Sequence, residues 1–456
     1  MENRCLSLDF LRGISIFGMI FSAIVPYGVL PAWMYHIQNP PPLHNLDVTV
    51  SGIGWVDLVF PVFIFCMGVA IPLSGKKKME QGVSAMEYVK GCFGRFLMLW
   101  LFSYLYVLMN FSTAEGLWPQ IFTIFGFVAL GSVYGKRVGK SLWIRVLGLL
   151  IAGCIIAIGH FMFGEVVNFH RRGIIIFLLA FLYLFGSLIW YFTRRNLRAR
   201  GVVFIILFLF TCITKELEWP AITYANPNVR WWFNMEYFYF LLILLPATLI
   251  GDILSERAVG NADAPEATGT AVAGHLFFPL VLCFCAWQCY ALYMGMHCWN
   301  AVVSIVFSVI GYIAVNKHFI YYKAMFGMAC ILLLCGLGMI GVEGGIFKVP
   351  CTVSYCFITF GISVYLYMFS DYLCRYLGGS FIVRVFSGAG KNPLMSYVAF
   401  DSLVVPFLKA TGLIALYQAA YPAGYPAVGV LRGAIVVFFT MWIVYALGKK
   451  GFRWKA

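Results

Sequence analysis

The sequence predicts an all-α polytopic membrane protein with about 12–14 transmembrane helices in one bundle. Of its 456 residues, 62% are hydrophobic and only 11% are charged, whereas a soluble domain carries about 25% charged residues. Apolar stretches of the roughly 20 residues that span a bilayer recur from Ile14 to Leu447. Because these stretches are continuous rather than alternating, they indicate helices and not the strands of a closed barrel.

The basic residues between these stretches predict the orientation of the chain. The formal net charge is +14, and most of the Lys and Arg residues cluster in polar breaks, at Lys76–Lys78, Lys136-Arg137, Arg194–Arg200 and Lys449–Lys455. Cytoplasmic loops of membrane proteins carry an excess of such residues, so these breaks are predicted to be cytoplasmic. No nucleic-acid-binding motif accompanies them, and nucleic acid is therefore not an expected partner.

Taken in order, the breaks separate about fourteen spans, which leaves both termini in the cytoplasm. The first span (near 8–30) leads to an outer loop, 31–54, rich in Pro, Asn and His. Residues 216–234 form an aromatic outer loop, and residues 255–270 form a polar cytoplasmic linker between an N-terminal bundle, 1–254, and a C-terminal bundle, 271–456. The remaining spans are predicted near 55–73, 93–112, 117–134, 142–164, 173–192, 201–215, 236–254, 272–294, 299–316, 322–341, 352–370, 393–410 and 428–447.

Cysteine usage and the N-terminus narrow the class of protein further. The 14 cysteines are scattered through apolar segments without the spacing of metal sites, so they are interpreted as small hydrophobic residues inside helices and no metal is expected. Asp9 and Arg12 enter the first apolar run, which argues against a cleavable signal peptide.

Ionisable residues inside spans are site candidates because charge is costly in lipid. Asp9 and Arg12 lie three residues apart, so they either pair on one helix face as an anchor or present Arg12 to an anionic ligand, with Gly13 letting that ligand approach the backbone. Asp57 begins the second span, where a carboxylate either caps the helix or orients a nearby histidine.

Two histidines of the outer loop are candidates for acid–base chemistry. His36 and His44 could act as a general base or carry an acyl group, or could be ordinary solvated side chains. On the opposite side, Arg95 enters the third span, and Lys391 with its flanking glycines precedes Asn392 at a helix start. Backbone amides at such a start suit phosphate binding, although the spacing is not that of a Walker loop.

The N-terminal hundred residues resemble the transmembrane acyltransferase family of heparan-alpha-glucosaminide N-acetyltransferase and its bacterial homologues. The resemblance is carried by Ser7–Gly13, by Trp33–His36 and by Asp57–Pro61 continuing through Phe63, Phe65, Met67-Gly68 and Ser74, and more loosely by Arg95–Leu97, Gly390–Asn392 and Tyr397. The chain departs from the family where relatives have an asparagine in the first span and this sequence reads Ser22-Ala23. The Trp-Asn-Gly that relatives carry before Asp57 is replaced by a longer Pro-rich loop.

This resemblance implies an enzyme that moves an acetyl group from cytoplasmic acetyl-CoA to the amine of a glucosamine-type sugar on the outer, periplasmic side. Arg12, Gly13, Arg95 and Lys391 would then bind CoA. His36, favoured over His44 as the key histidine, would be oriented by Asp57. Asn392 or Ser22 would stabilise the oxyanion.

Two other functions stay open at this point. A saccharide transporter or flippase would use the same charges to gate a path, and a structural or polymer-assembly membrane protein would carry a vestigial site. Membrane lipid is an expected partner, and a homodimer is compatible with the sequence. The short region before the first span and the scarcity of Asn-x-Ser/Thr sites lead us to expect a bacterial inner membrane.

Overall fold

The computed structural model describes residues 5–136, 141–168, 170–260, 271–420 and 424–455. Within these ranges every regular element is helical, and fourteen helical segments are long and apolar enough to cross a membrane. The predicted all-α polytopic membrane fold is therefore confirmed. Fourteen crossings would leave both termini on one side, and which side faces the cytoplasm stays a prediction.

The helices follow one another in chain order, and the long connection between the first two, residues 25–54, holds the predicted outer loop. They are α1 (Leu6–Ile24), α2 (Trp55–Glu80), α3 (Ala85–Leu108), α4 (Leu117–Tyr134), α5 (Leu142–Phe163), α6 (Ile174–Thr193), α7 (Leu197–Glu216), α8 (Trp219–Ala225), α9 (Pro227–Arg230), α10 (Leu241–Gly260), α11 (Ala271–Tyr293), α12 (His297–His318), α13 (Lys323–Val342), α14 (Val353–Leu377), α15 (Phe381–Gly390), α16 (Pro393–Ala399), α17 (Val405–Ala410), α18 (Ile414–Ala419) and α19 (Pro426–Lys449).

The chain divides into two compact units that are both discontinuous in sequence. Unit 1 consists of Met1–Leu11, Pro31–Cys92 and Leu182–Gly378, and unit 2 of Arg12–Leu30, Phe93–Phe181 and Gly379–Ala456. Both units draw on each side of the predicted linker, 255–270. That linker begins later than expected because α10 continues to Gly260, and residues 261–270 lie outside the described part of the chain. The predicted division into bundles 1–254 and 271–456 stays a prediction.

The centre of unit 1 is formed by α2, α10 and α14, which pack on one another and are largely buried. Helices α2 and α10 pack closely because Gly68 has no side chain: a Cβ there would lie 2.6 Å from the carbonyl oxygen of Leu244. Small residues permit such backbone approach between membrane helices. Helix α2 is also longer than predicted and includes the basic run Lys76–Lys78.

In unit 2, α4 packs on α5 and α15 packs on α19. The predicted span 393–410 is not one regular helix, because a π-helical segment, Phe400–Val404, separates α16 from α17. Short π-helical segments occur frequently at functional sites. Helix α15 was not predicted as an element of its own, since its ten residues are too few to span a bilayer.

Candidate functional site

The first site feature is a contact between two loops of unit 1. The loop between α1 and α2 meets the loop between α13 and α14 through backbone and side-chain hydrogen bonds. The Gly52 amide donates to the Ile346 carbonyl over 2.9 Å. The Gln38 side chain donates to the Val349 carbonyl over 2.6 Å and accepts from the Val349 amide over 3.0 Å. These bonds join the two loops and keep Lys348 of the second loop beside His36 of the first.

The contact brings together His36, Asp57 and Lys348, which we call the His36 cluster. His36 Nδ1 lies 2.7 Å from Asp57 Oδ1. Lys348 Nζ lies 3.2 Å from the same ring nitrogen and 3.7 Å from the same carboxylate oxygen. A histidine, a carboxylate and a cation therefore meet at the N-terminus of α2.

Asp57 is held in place from several directions. Its Oδ2 accepts hydrogen bonds from the backbone amides of Gly54, at 3.1 Å, and Ile37, at 3.3 Å. Tyr355 of α14 donates to the backbone carbonyl of Asp57 over 2.7 Å. The side chain is only 2% exposed. The two interpretations of Asp57 from the sequence are compatible, since one oxygen caps α2 and the other contacts His36.

The position of Asp57 determines which nitrogen of His36 can react. A neutral imidazole has one N–H, and an ionised carboxylate can only accept. Both Asp57 and Lys348 contact Nδ1, and we assign the proton of neutral His36 to Nδ1 because the Asp57 contact is the shorter of the two, 2.7 Å against 3.2 Å. This assignment leaves the lone pair of Nε2 available. The His36 side chain is 39% exposed, so the ring is accessible to a substrate.

Lys348 was not singled out in the sequence. Burial lowers the pKa of its ammonium group, and the nearby carboxylate of Asp57 opposes this decrease only in part. A signal was present: a lysine in a short loop that the span alternation assigns to the outer side departs from the general placement of basic residues inside. The loop was too far away in sequence from 31–54 to suggest a contact.

His44 occupies a different environment from His36. Its ring packs edge-on against Tyr35, with centroids 4.4 Å apart, and its Nδ1 lies 3.1 Å from the Asn39 carbonyl oxygen. The residue is 7% exposed and has a left-handed backbone, with φ of 51°. It is His36 whose ring contacts the Asp57 carboxylate.

The predicted CoA-binding residues belong to unit 2. Arg12 donates from Nη1 to the carbonyl oxygen of Gly390 over 3.3 Å, and Lys391 directly follows that residue. These two cations therefore share the end of α15. Arg95 lies in the same unit, on α3. The space beside Gly13 is filled, since a Cβ there would lie 2.0 Å from the carbonyl oxygen of Phe386. It is α15, rather than the predicted ligand, that approaches the backbone at Gly13.

The two predicted oxyanion donors have other partners in unit 2. Asn392 is 1% exposed, accepts from the Trp454 amide over 2.9 Å and donates to the Phe452 carbonyl over 3.2 Å. Its Nδ2 also lies 3.3 Å from the sulfur of Met395. Ser22 donates to the Met19 carbonyl within α1. The side chain of Asn392 therefore fixes the segment after α19, and its donors are used by the protein itself.

One family model matches this chain. It is described as a domain of unknown function, DUF5009, and it covers residues 4–254, which is more than half of the 456 residues. The match includes His36 and Asp57 but ends before Lys348 and Lys391. No curated protein matches the chain. The chain belongs to the DUF5009 family.

Proposed function

We propose that this protein is an acetyl-CoA-dependent membrane N-acyltransferase. It would move an acetyl group from cytoplasmic acetyl-CoA to the amine of a glucosamine-type sugar on the outer side of a bacterial inner membrane. The observation that carries this proposal is the His36 cluster, in which the Nδ1 contact with Asp57 leaves Nε2 available. The resemblance of Ser7–Gly13, Trp33–His36 and Asp57–Pro61 to a transmembrane acyltransferase family supplies the substrate class.

Two routes for the transfer are compatible with the cluster. In the direct route, Nε2 of His36 removes a proton from the acceptor amine while the amine nitrogen attacks the thioester carbonyl. In the two-step route, Nε2 attacks that carbonyl and holds the acetyl group until the amine takes it. In both routes the carbon–sulfur bond breaks and CoA leaves as a thiolate that takes up a proton.

Lys348 supports either route by its charge. Its ammonium group lies beside Asp57 and Nδ1 rather than beside the reacting Nε2, so it stabilises the ionised form of Asp57, which holds the proton of neutral His36 on Nδ1. This role differs from oxyanion stabilisation, for which Asn392 and Ser22 were candidates. Arg12, Arg95 and Lys391 stay the candidates for the phosphates of CoA, because guanidinium and ammonium groups bind phosphate oxygens.

The test uses proteoliposomes loaded with glucosamine and supplied with radiolabelled acetyl-CoA outside. We expect labelled N-acetylated sugar inside the vesicles with the wild type and a loss of at least about a hundredfold with His36→Ala, the lower range for a general base. The matched control is His44→Asn, since asparagine tolerates a left-handed backbone. It should retain activity because His44 lies against Tyr35.

The rival functions give different results in the same vesicles. A saccharide transporter or flippase would move unmodified sugar without acetyl-CoA. A structural protein would neither bind acetyl-CoA in a thermal-shift titration nor acetylate sugar. Equal activity of His36→Ala and wild type would refute the role of the cluster. Labelled protein formed without acceptor would select the two-step route.

A further inference from the structure

A second feature of unit 1 lies apart from the His36 cluster. Helices α7, α10, α12 and α13 line a crevice of about 1180 Å³ that is open on one side and has almost entirely apolar walls. Its lining on α13 extends from Lys323 to Leu332 and continues to Ile320 just before that helix. At 1.5 Å per residue this length is about 18 Å. That depth is close to one leaflet of the hydrocarbon core, which is about half of 30 Å.

One end of the crevice is basic. Lys323 and Arg200 both line it, in the first turn of α13 and the first two turns of α7. Both helices therefore direct the positive ends of their dipoles toward this end of the crevice. Gly201 and Ala324, the next residues along each helix, also line the wall. The apolar length and the charged end together match an amphipathic anion.

Arg200 provides the second observation that points to a ligand. Its side chain is 2% exposed. Its Nη1 donates to Asp252 over 2.6 Å and to Thr248 over 3.2 Å, and its Nε donates to Thr193 over 3.2 Å. Its Nη2, by contrast, is buried without a hydrogen-bond partner among the described residues. An unsatisfied buried donor is costly, by about 1–3 kcal/mol and more for a charged group, so Arg200 would gain stability if its side chain turned Nη2 toward a ligand oxygen in the crevice that it lines.

We propose that this crevice binds an anionic phospholipid. The phosphate would accept from Arg200 and Lys323 at the basic end, and one acyl chain would fill the apolar length. Guanidinium groups suit phosphate oxygens, and basic pockets between transmembrane helices are known to bind anionic lipid head groups. The site is independent of acyl transfer, since none of its lining residues belongs to the His36 cluster.

The test is native mass spectrometry of the full chain purified in detergent and titrated with phosphatidylglycerol or phosphatidylcholine of matched chain length. We expect the wild type to retain phosphatidylglycerol selectively. Gly201→Leu should fill the crevice, since a Cβ at Gly201 meets nothing within 4 Å. Displacing about two buried methylene groups corresponds to roughly a tenfold loss of binding.

Two further variants separate the acyl-chain contact from the charge contact. Gly338→Leu is the matched control, because Gly338 lies on α13 with the same open space and is not among the lining residues. It should bind like the wild type. Lys323→Gln should reduce the preference for phosphatidylglycerol over phosphatidylcholine while leaving the uncharged contribution in place. Neither variant disturbs the buried pair of Arg200 and Asp252.

Three outcomes would overturn the proposal. The first is equal retention of the two lipids by the wild type, and the second is an equal loss in Gly201→Leu and Gly338→Leu. The third is a lipid-free dimer that dissociates in Gly201→Leu, which would assign the crevice to a second copy of the chain.

Discussion

Replacing Asp57 by asparagine should inactivate the proposed enzyme by reversing one hydrogen bond. Asp57 Oδ2 accepts from two backbone amides, those of Gly54 and Ile37. In Asp57→Asn the amide oxygen has to take that position, because an NH₂ group there would face two donors. The NH₂ group then faces His36 Nδ1 and donates to it. This moves the proton of the neutral ring to Nε2, which can no longer accept one.

The size of the effect follows from the tautomer. A general base contributes about 10²–10⁴ in rate, and an equivalent carboxylate-to-amide change in a hydrolase triad costs about 10⁴. The expected decrease in kcat is therefore about 10²–10⁴, or roughly 2.7–5.4 kcal/mol in barrier height. Stability should fall less, by about 1–3 kcal/mol, since the cap of α2 keeps its acceptor and only the charge beside Lys348 is lost.

The assay measures initial rates of sugar acetylation in loaded proteoliposomes at saturating acetyl-CoA, with the melting temperature of each detergent-purified variant measured in parallel. Asp57→Asn should retain acetyl-CoA binding and most of its thermal stability while losing turnover. His36→Gln is the matched comparison, because it removes the base and leaves Asp57 unchanged. The two variants should lose kcat by similar factors.

Two results would refute this reasoning. If Asp57→Asn retained more than half of the wild-type rate, Asp57 would serve only as a helix cap. If it lost activity only together with acetyl-CoA binding and folded structure, the rate loss would report on stability rather than on the tautomer.

Three further predictions concern charge and packing. Because burial lowers the pKa of Lys348, its charge is lost at lower pH than that of an exposed lysine, so Lys348→Arg should retain activity to higher pH in a pH–rate profile; identical alkaline limbs would contradict this. Gly68→Ala should lower the free energy of unfolding by about 1–3 kcal/mol because α10 leaves no room for a methyl group. The control Gly94→Ala, with nothing within 4 Å, should be neutral or slightly stabilising in the same thermal melts. Asn392→Ala should speed tryptic cleavage beside Trp454, since it removes two of the hydrogen bonds that hold the C-terminal segment and leaves the backbone bonds to Tyr134 and Lys136; unchanged digestion would show that these remaining bonds suffice.

The sequence was sufficient for the fold because lipid imposes a strong pattern. Runs of about 20 apolar residues have one stable solution in a bilayer, and the fourteen spanning segments follow from them. The ends of the helices were less predictable where a helix continues into polar residues beyond its apolar stretch. Lys76–Lys78 belong to α2 because a lysine can extend its side chain to the interface while its backbone continues the helix.

The candidate site was predictable only where its parts are close in sequence. His36 and Asp57 are separated by 21 residues and carry recognisable residue types. Lys348 is separated from His36 by 312 residues, and no local pattern connects two loops at that distance. The environment of Asn392 is set by Phe452 and Trp454, which a local motif cannot show.

The use of one carboxylate for two tasks bears on how the site can be tested. Asp57 caps α2 through Oδ2 and contacts His36 through Oδ1, so a change to alanine would remove both functions together. It would also leave the amides of Gly54 and Ile37 without their acceptor in a buried position, which is destabilising in itself. Only a substitution that keeps an oxygen toward these amides and alters the group facing the histidine can separate catalysis from folding. Among the natural side chains asparagine meets this condition, and its effect on turnover therefore reports on the group that faces His36 and Lys348 rather than on the cap of α2.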